Sequence, residues 1–99
     1  MKVLIISGHD ATIKYLSEIF GNFEVRVIQH LSDLNEVNED IVVGNLPLPL
    51  IAELLKRGKR FIYVSLIIPA ELRGKELNSE QVKEYIELYE IKNLELERW

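Results

Sequence analysis

The sequence predicts a single three-layer α/β domain, a parallel sheet with helices on both faces. Three observations predict it. Short runs of branched apolar residues, such as 3–6 and 41–43, recur along the chain; continuous runs of this kind mark strands buried on both faces, as in parallel sheets. Stretches with apolar residues at helical spacing alternate with those runs. Three polar motifs each follow one of the strands, at the carboxyl edge where ligands of open α/β sheets bind.

Residues 3–6 form the first strand. Asp10 is a good N-cap for the helix that follows, whose Ile13, Leu16, Ile19 and Phe20 recur at helical spacing before Gly21 and Asn22 end it. Residues 24–29, with Val25, Val27 and Ile28, read as the second strand. Residues 31–39 are polar and acidic and accommodate a short helical turn. Residues 41–43 are a third, short strand. Pro47 and Pro49 open a helix through Arg57, since proline fits a first turn whose N–H groups have no partner. Its buried stripe is Leu50, Ile51, Leu54 and Leu55. Gly58 stands where a left-handed C-cap belongs. Residues 61–66 form the fourth strand, and 69–77 an irregular loop. Asn78 and Gln81 have capping-box spacing ahead of a helix through Tyr89. Ile91, Leu94, Leu96 and Trp99 then fit an edge strand. No repeat, low-complexity tract or linker interrupts this order.

Composition narrows the function classes. The 99 residues are 47% hydrophobic, which is ordinary for a globular chain. A domain of this size buries about 60–65% of its unfolded surface, so a second protomer would help it. Without cysteine there is neither a disulfide framework nor a thiolate zinc site. No His and carboxylate spacing on one helix face fits a metal, and no cofactor is expected. The apolar N-terminal run is too short for a signal peptide or a membrane span, so a cytoplasmic protein is expected. A net charge of −4 argues against duplex nucleic acid as a partner. The charge is uneven, however. Lys56, Arg57, Lys59 and Arg60 form one basic cluster, and Arg73 and Lys75 form another. The first lies at the edge of the sheet opposite the motif loops, as a solvated helix end.

The three motifs carry the chemistry. Ser7-Gly8-His9-Asp10 joins the first strand to the first helix. Gly8 permits close approach of a ligand, the helix amides favour an anion, and His9 can move a proton near neutral pH. A plain helix cap with a solvated histidine is the alternative. Gly44-Asn45-Leu46-Pro47 follows the third strand, and Asn45 can donate and accept hydrogen bonds as adenine or ribose would require; a simple strand-to-helix turn is the alternative. Residues 65–77 form a long loop, and long loops in small domains tend to be functional. Within it Arg73 can clamp a phosphate in a fork and Lys75 can add a point charge. Its alternative is a surface loop tied by salt bridges among Glu71, Arg73, Lys75 and Glu76. His30, after the second strand, can reach the same edge as His9. The first motif lacks the glycine spacing of a dinucleotide fingerprint. A phosphoreceiver would need an acceptor aspartate ending the third strand, where Val43 and Gly44 stand.

Together these stretches resemble the small Csx-type accessory proteins of type III CRISPR loci, the group numbered sixteen. The matching positions are Ser7 and His9, then Gly44, Leu46 and Pro47, then Ser65, Leu66, Pro69, Ala70, Glu71, Arg73, Gly74, Glu76 and Leu77. Where those proteins have an arginine before the histidine, this chain has Gly8; their Pro-Gly becomes Asp10-Ala11, and an aspartate becomes Ile67. The resemblance implies a Rossmann-like, CARF-like domain that forms a homodimer around cyclic tetra-adenylate. It implies a metal-independent ring nuclease that cuts the ring to linear di-adenylate with a 2′,3′-cyclic phosphate, switching the CRISPR signal off. In that reading His9 and Arg73 are catalytic. The ligand is held by Ser7, Gly8, Asp10, Gly44, Asn45, Leu46, Pro47, Ser65, Leu66, Glu71 and Lys75. The alternative within the resemblance is a protein that binds the ring without cutting it.

Overall fold

All five strands join one sheet, in the order β2 (Glu24–Ile28), β1 (Lys2–Ile6), β3 (Ile41–Gly44), β4 (Arg60–Leu66), β5 (Ile86–Ile91). The computed structural model describes residues 1–99. The elements are β1 (Lys2–Ile6), α1 (Asp10–Ile19), β2 (Glu24–Ile28), β3 (Ile41–Gly44), α2 (Leu48–Lys56), β4 (Arg60–Leu66), α3 (Ser79–Tyr85) and β5 (Ile86–Ile91). Short 3-10 turns at Leu34–Glu36 and Ala70–Leu72 punctuate the two longest connections. The expected alternation of strands and helices is present. No helix is long and apolar enough to cross a membrane.

Strand alternation divides the core into two layers. On one face Leu4, Val42 and Phe61 pack beneath Ile51 and Leu54 of α2, with Leu31 and Val37 of the β2–β3 connection completing the cover. On the other face Val3, Ile5, Ile41, Val43 and Val64 meet Leu16 of α1. Both faces of the central strands are thus dry, which accounts for their unbroken apolar sequences. The stripe of α2 differs slightly from expectation: Ala52 is buried with Ile51 and Leu54, while Leu50 and Leu55 are only half-buried.

One expectation fails at the carboxyl-terminal end. The capping box of Asn78 and Gln81 forms, with both reciprocal hydrogen bonds, but the helix it starts ends at Tyr85 instead of Tyr89. Residues 86–91 become the edge strand, and Leu94, Leu96 and Trp99 lie beyond it. This strand pairs antiparallel with β4, so the sheet is not wholly parallel. The open hydrogen-bonding edge of β4 is the cause: α3 ends beside the end of β4, and residues 86–91 alternate well enough to pair with it. The chain therefore re-enters the sheet where β4 ends, with Ile86 opposite Leu66, and runs back.

Candidate functional site

The strand order reverses direction between β1 and β3. The chain leaves β1 toward α1 on one face and leaves β3 toward α2 on the other. Loops that part in this way open a crevice at the carboxyl edge. Gly44 sits at the parting point, paired in register with Ile6. Its φ is +152°, and a Cβ placed there would stand 2.6 Å from the Ile6 carbonyl oxygen. Only glycine allows the two strands to approach so closely at the crevice floor.

The loop after β1 is held by two bonds. The Ser7 N–H donates to the Ile28 carbonyl at 3.0 Å, and the His9 N–H donates to Ser7 Oγ at 3.2 Å. The N-cap of α1 is His9, not Asp10, which is the first helical residue. No side chain caps this helix. Its first-turn amides point at the crevice end of the sheet without a side-chain acceptor, a setting that favours an anion. Asp10 adds a carboxylate to the same turn.

Two adjoining cavities flank this loop. The first, of about 590 Å³, lies over the switch point and is lined by Ser7, Gly8, His9, Gly44, Asn45, Ser65 and Leu66, among others. The second, of about 570 Å³, lies between the start of α1 and the loop before α3; Gly8, His9, Asp10, Leu66 and Lys75 contribute to it. Gly8 and His9 form the ridge between the two. The three sequence motifs therefore do meet along one edge. Four expected residues line neither cavity. Leu46 is half-buried against the hydrophobic core, and Pro47 is the N-cap of α2. Glu71 and Arg73 are exposed on the loop that runs into Gly74 and Lys75. Gly74 has φ +78°, and this left-handed turn carries the chain from Arg73 into the wall of the second cavity.

The charges of this edge are unpaired. The ion pairs of the molecule are Arg26 with Glu39, Arg57 with Glu53, and Arg60 and Lys92 with Glu90. None involves Glu71, Arg73, Lys75 or Glu76, so the salt-bridged surface loop weighed from the sequence does not form. The basic cluster near Arg57 lies, as expected, at the other edge and is engaged there with Glu53, Asn35 and Glu90. His30 is exposed and lines neither cavity; its neighbour Gln29 lines the first.

Comparison with known proteins bears on this geometry. Residues 4–92 match the model of a family described as "Putative CRISPR-associated protein (Cas_VVA1548)". The chain belongs to this family. No curated protein and no solved structure matches it. The family match covers β1 from Leu4 onward, the other four strands and all three motifs, so the crevice of this CRISPR-associated protein lies wholly within the matched region.

Three further residues of the CRISPR-associated chain line the site and escaped the sequence reading. Thr12 is only 6% exposed and lies on the floor of both cavities. It follows His9 by three residues and so shares its helix face, which is the signal that could have found it. Gln29 follows the last residue of β2, at the same edge as the motifs. Tyr63 stands opposite Gly44 in the ladder, beside a position with no side chain. A glycine in one strand next to an aromatic in the neighbouring strand is its signal.

Proposed function

We propose that this CRISPR-associated protein is a ring nuclease for cyclic tetra-adenylate, acting as a homodimer with the ring at the two-fold interface. The observation that carries the reading is the crevice edge itself. An uncapped helix N-terminus, hydroxyls, an amide and the unpaired Lys75 converge there, with the unpaired Arg73 on the adjoining loop, whereas Arg26, Arg57 and Arg60 elsewhere are held in ion pairs. Family membership supports the CRISPR setting, and the sequence resemblance supports the ring as substrate. A ring of four repeated units permits two-fold symmetry, and a C2 dimer would match it.

In this reaction the ribose 2′-oxygen attacks the adjacent phosphorus. A P–O bond forms to that oxygen, the bond to the 5′-oxygen breaks, and the proton lost from the 2′-hydroxyl is balanced by one gained at the leaving oxygen. Repetition at the opposite link gives two linear di-adenylates with 2′,3′-cyclic phosphates. The protein contributes alignment, which lowers the barrier by several kcal/mol, and donors aimed at the developing phosphorane charge. His9, on the ridge between the cavities, is the proton-transfer residue. The amides beside Gly8 hold the phosphate, and Arg73 reaches in from the rim to neutralise it. Ser7, Asn45 and Ser65 hold ribose and base.

Binding without cleavage is the second reading. Gly8 and the 71% exposed Ile67 favour it, because neither brings a charge to the crevice. Digestion of excess cyclic tetra-adenylate in EDTA, followed by chromatography, separates the two. Linear di-adenylate is the expected product. An intact ring retained by the protein would establish sequestration, and a free intact ring would overturn both.

A further inference from the structure

The two cavities share a ridge but differ in charge. The switch-point cavity has no carboxylate in its lining; its polar groups are hydroxyls, the amides of Gln29 and Asn45, and His9. Such a wall donates hydrogen bonds and suits an anion. The second cavity has two carboxylates, Asp10 and Glu76, at a mouth shared with Lys75. Its floor is largely apolar: Val82 is 1% exposed, and Leu66, Ile68 and Leu77 are half-buried, beside the buried Thr12. Two carboxylates repel a phosphate, and a largely apolar floor gives it little. A flat, uncharged ring with a donor on its edge suits both the floor and the carboxylates. The volume lies within the range of small-ligand sites.

We propose that the second cavity is a purine pocket, and that Glu76 selects the base by accepting a hydrogen bond from its exocyclic amine. This deepens the ring-nuclease reading and rests on it for the adenine. The base lies on Leu66, Leu77 and Val82. The sugar crosses the Gly8–His9 ridge, and the phosphate sits on the donor-rich side. Glu76 is the selecting group because it has no ion-pair partner, whereas Asp10 occupies the first turn of α1, where the helix dipole engages it. Glu76 is a specificity-determining residue here and takes no part in the chemistry.

The test is titration of the full chain with two pairs of probes. One pair is cyclic tetra-adenylate against the same ring built from purine riboside, which has hydrogen in place of the amine. The other is 5′-AMP against purine riboside 5′-monophosphate. The adenine member of each pair is expected to bind about tenfold tighter, the worth of one hydrogen bond to a charged group. Glu76→Ala should shrink that preference to less than about threefold while Asp10→Ala keeps it. Equal binding of both rings by the wild-type chain would overturn the pocket and leave ring binding standing. Discrimination between the monophosphates without any binding of either ring would uphold the pocket and overturn the ring reading. Loss of selectivity in Asp10→Ala, or full selectivity in Glu76→Ala, would overturn the role of Glu76. No binding of any probe would overturn both.

Discussion

The two ends of the sheet treat charge in opposite ways. At the amino edge, two arginines are matched to carboxylates. Arg26 forks onto Glu39, with Nε to Oε2 at 2.8 Å and Nη2 to Oε1 at 3.0 Å, and also donates to the Glu36 carbonyl. Arg60 forks onto Glu90 in the same manner, at 2.9 and 2.8 Å, and the Lys2 N–H donates to Asp40. At the carboxyl edge His9, Asp10, Arg73, Lys75 and Glu76 make no ion pair. The amino edge uses side chains to hold elements together: Glu39 secures the β2–β3 connection, and Glu90 secures β5. The carboxyl edge is held by backbone bonds, one glycine contact and short-range bonds to Ser7, Asn78 and Gln81, leaving its charged side chains free. Free side chains in a crevice are available to a ligand; paired ones are not.

The sharpest way to break this comparison is to remove charge at each edge and read stability and activity separately. Arg73→Ala and His9→Ala are expected to lower ring cleavage by about 10²-fold or more, the usual loss when an electrostatic or proton-transfer group is removed. Both residues are exposed and unpaired, so urea midpoints should stay within about 0.5 kcal/mol of wild type. Unchanged cleavage in Arg73→Ala would remove the rim loop from the reaction. A large loss of stability in either variant would mean that the carboxyl edge is structural after all.

Much of this division was legible in the sequence. The buried strands were, because unbroken branched runs such as Val3-Leu4-Ile5-Ile6 have few other stable homes. The meeting of the three motifs was as well, because topology alone brings the carboxyl ends of parallel strands to one edge. The last strand was not. Residues 82–89 place Val82, Tyr85, Ile86 and Tyr89 at helical spacing, yet the same residues from Ile86 onward alternate well enough to pair with β4, and the open ladder of β4 decides between them. Arg73 illustrates a different limit. Its chemistry could be read from its type and neighbours, but its position on the rim depends on a turn at Gly74 that no periodicity announces. The forks of Arg26 and Arg60 were equally unreadable, since each joins residues far apart in the chain.

Stability should respond most at the one place where the carboxyl edge depends on a contact. Gly44→Val puts a branched side chain at φ +152°, against the Ile6 carbonyl. A loss of about 3 kcal/mol is expected from strain and collision together, seen as a lower urea midpoint with unchanged slope. A tolerated valine would mean that β1 and β3 part more freely than their register implies. Glu39→Gln comes next, at about 1–2 kcal/mol. The Glu39 side chain is 7% exposed, but Arg26 is 44% exposed, so water recovers much of what the arginine loses. Ring cleavage should be unaffected by this variant, because the residue lies at the far edge.

Acid provides the gentlest test. The Arg60 fork, with help from Lys92, lowers the Glu90 carboxyl from its ordinary 4.5 to about 2. Hydrogen bonding to Arg26 lowers Glu39 in the same direction. A carboxylate with a depressed folded pKa stabilises the fold fully above its unfolded pKa and loses that contribution as pH falls through the folded value. The difference in stability between wild type and Glu90→Gln should therefore be constant above about pH 4.5, narrow between there and about pH 2, and vanish below. Because the pair is exposed to solvent, added salt should shrink the difference at neutral pH. A gap that persists below pH 2 would mean that glutamine disturbs β5 by some route other than charge, and the amino edge would then owe less to its ion pairs than their geometry implies.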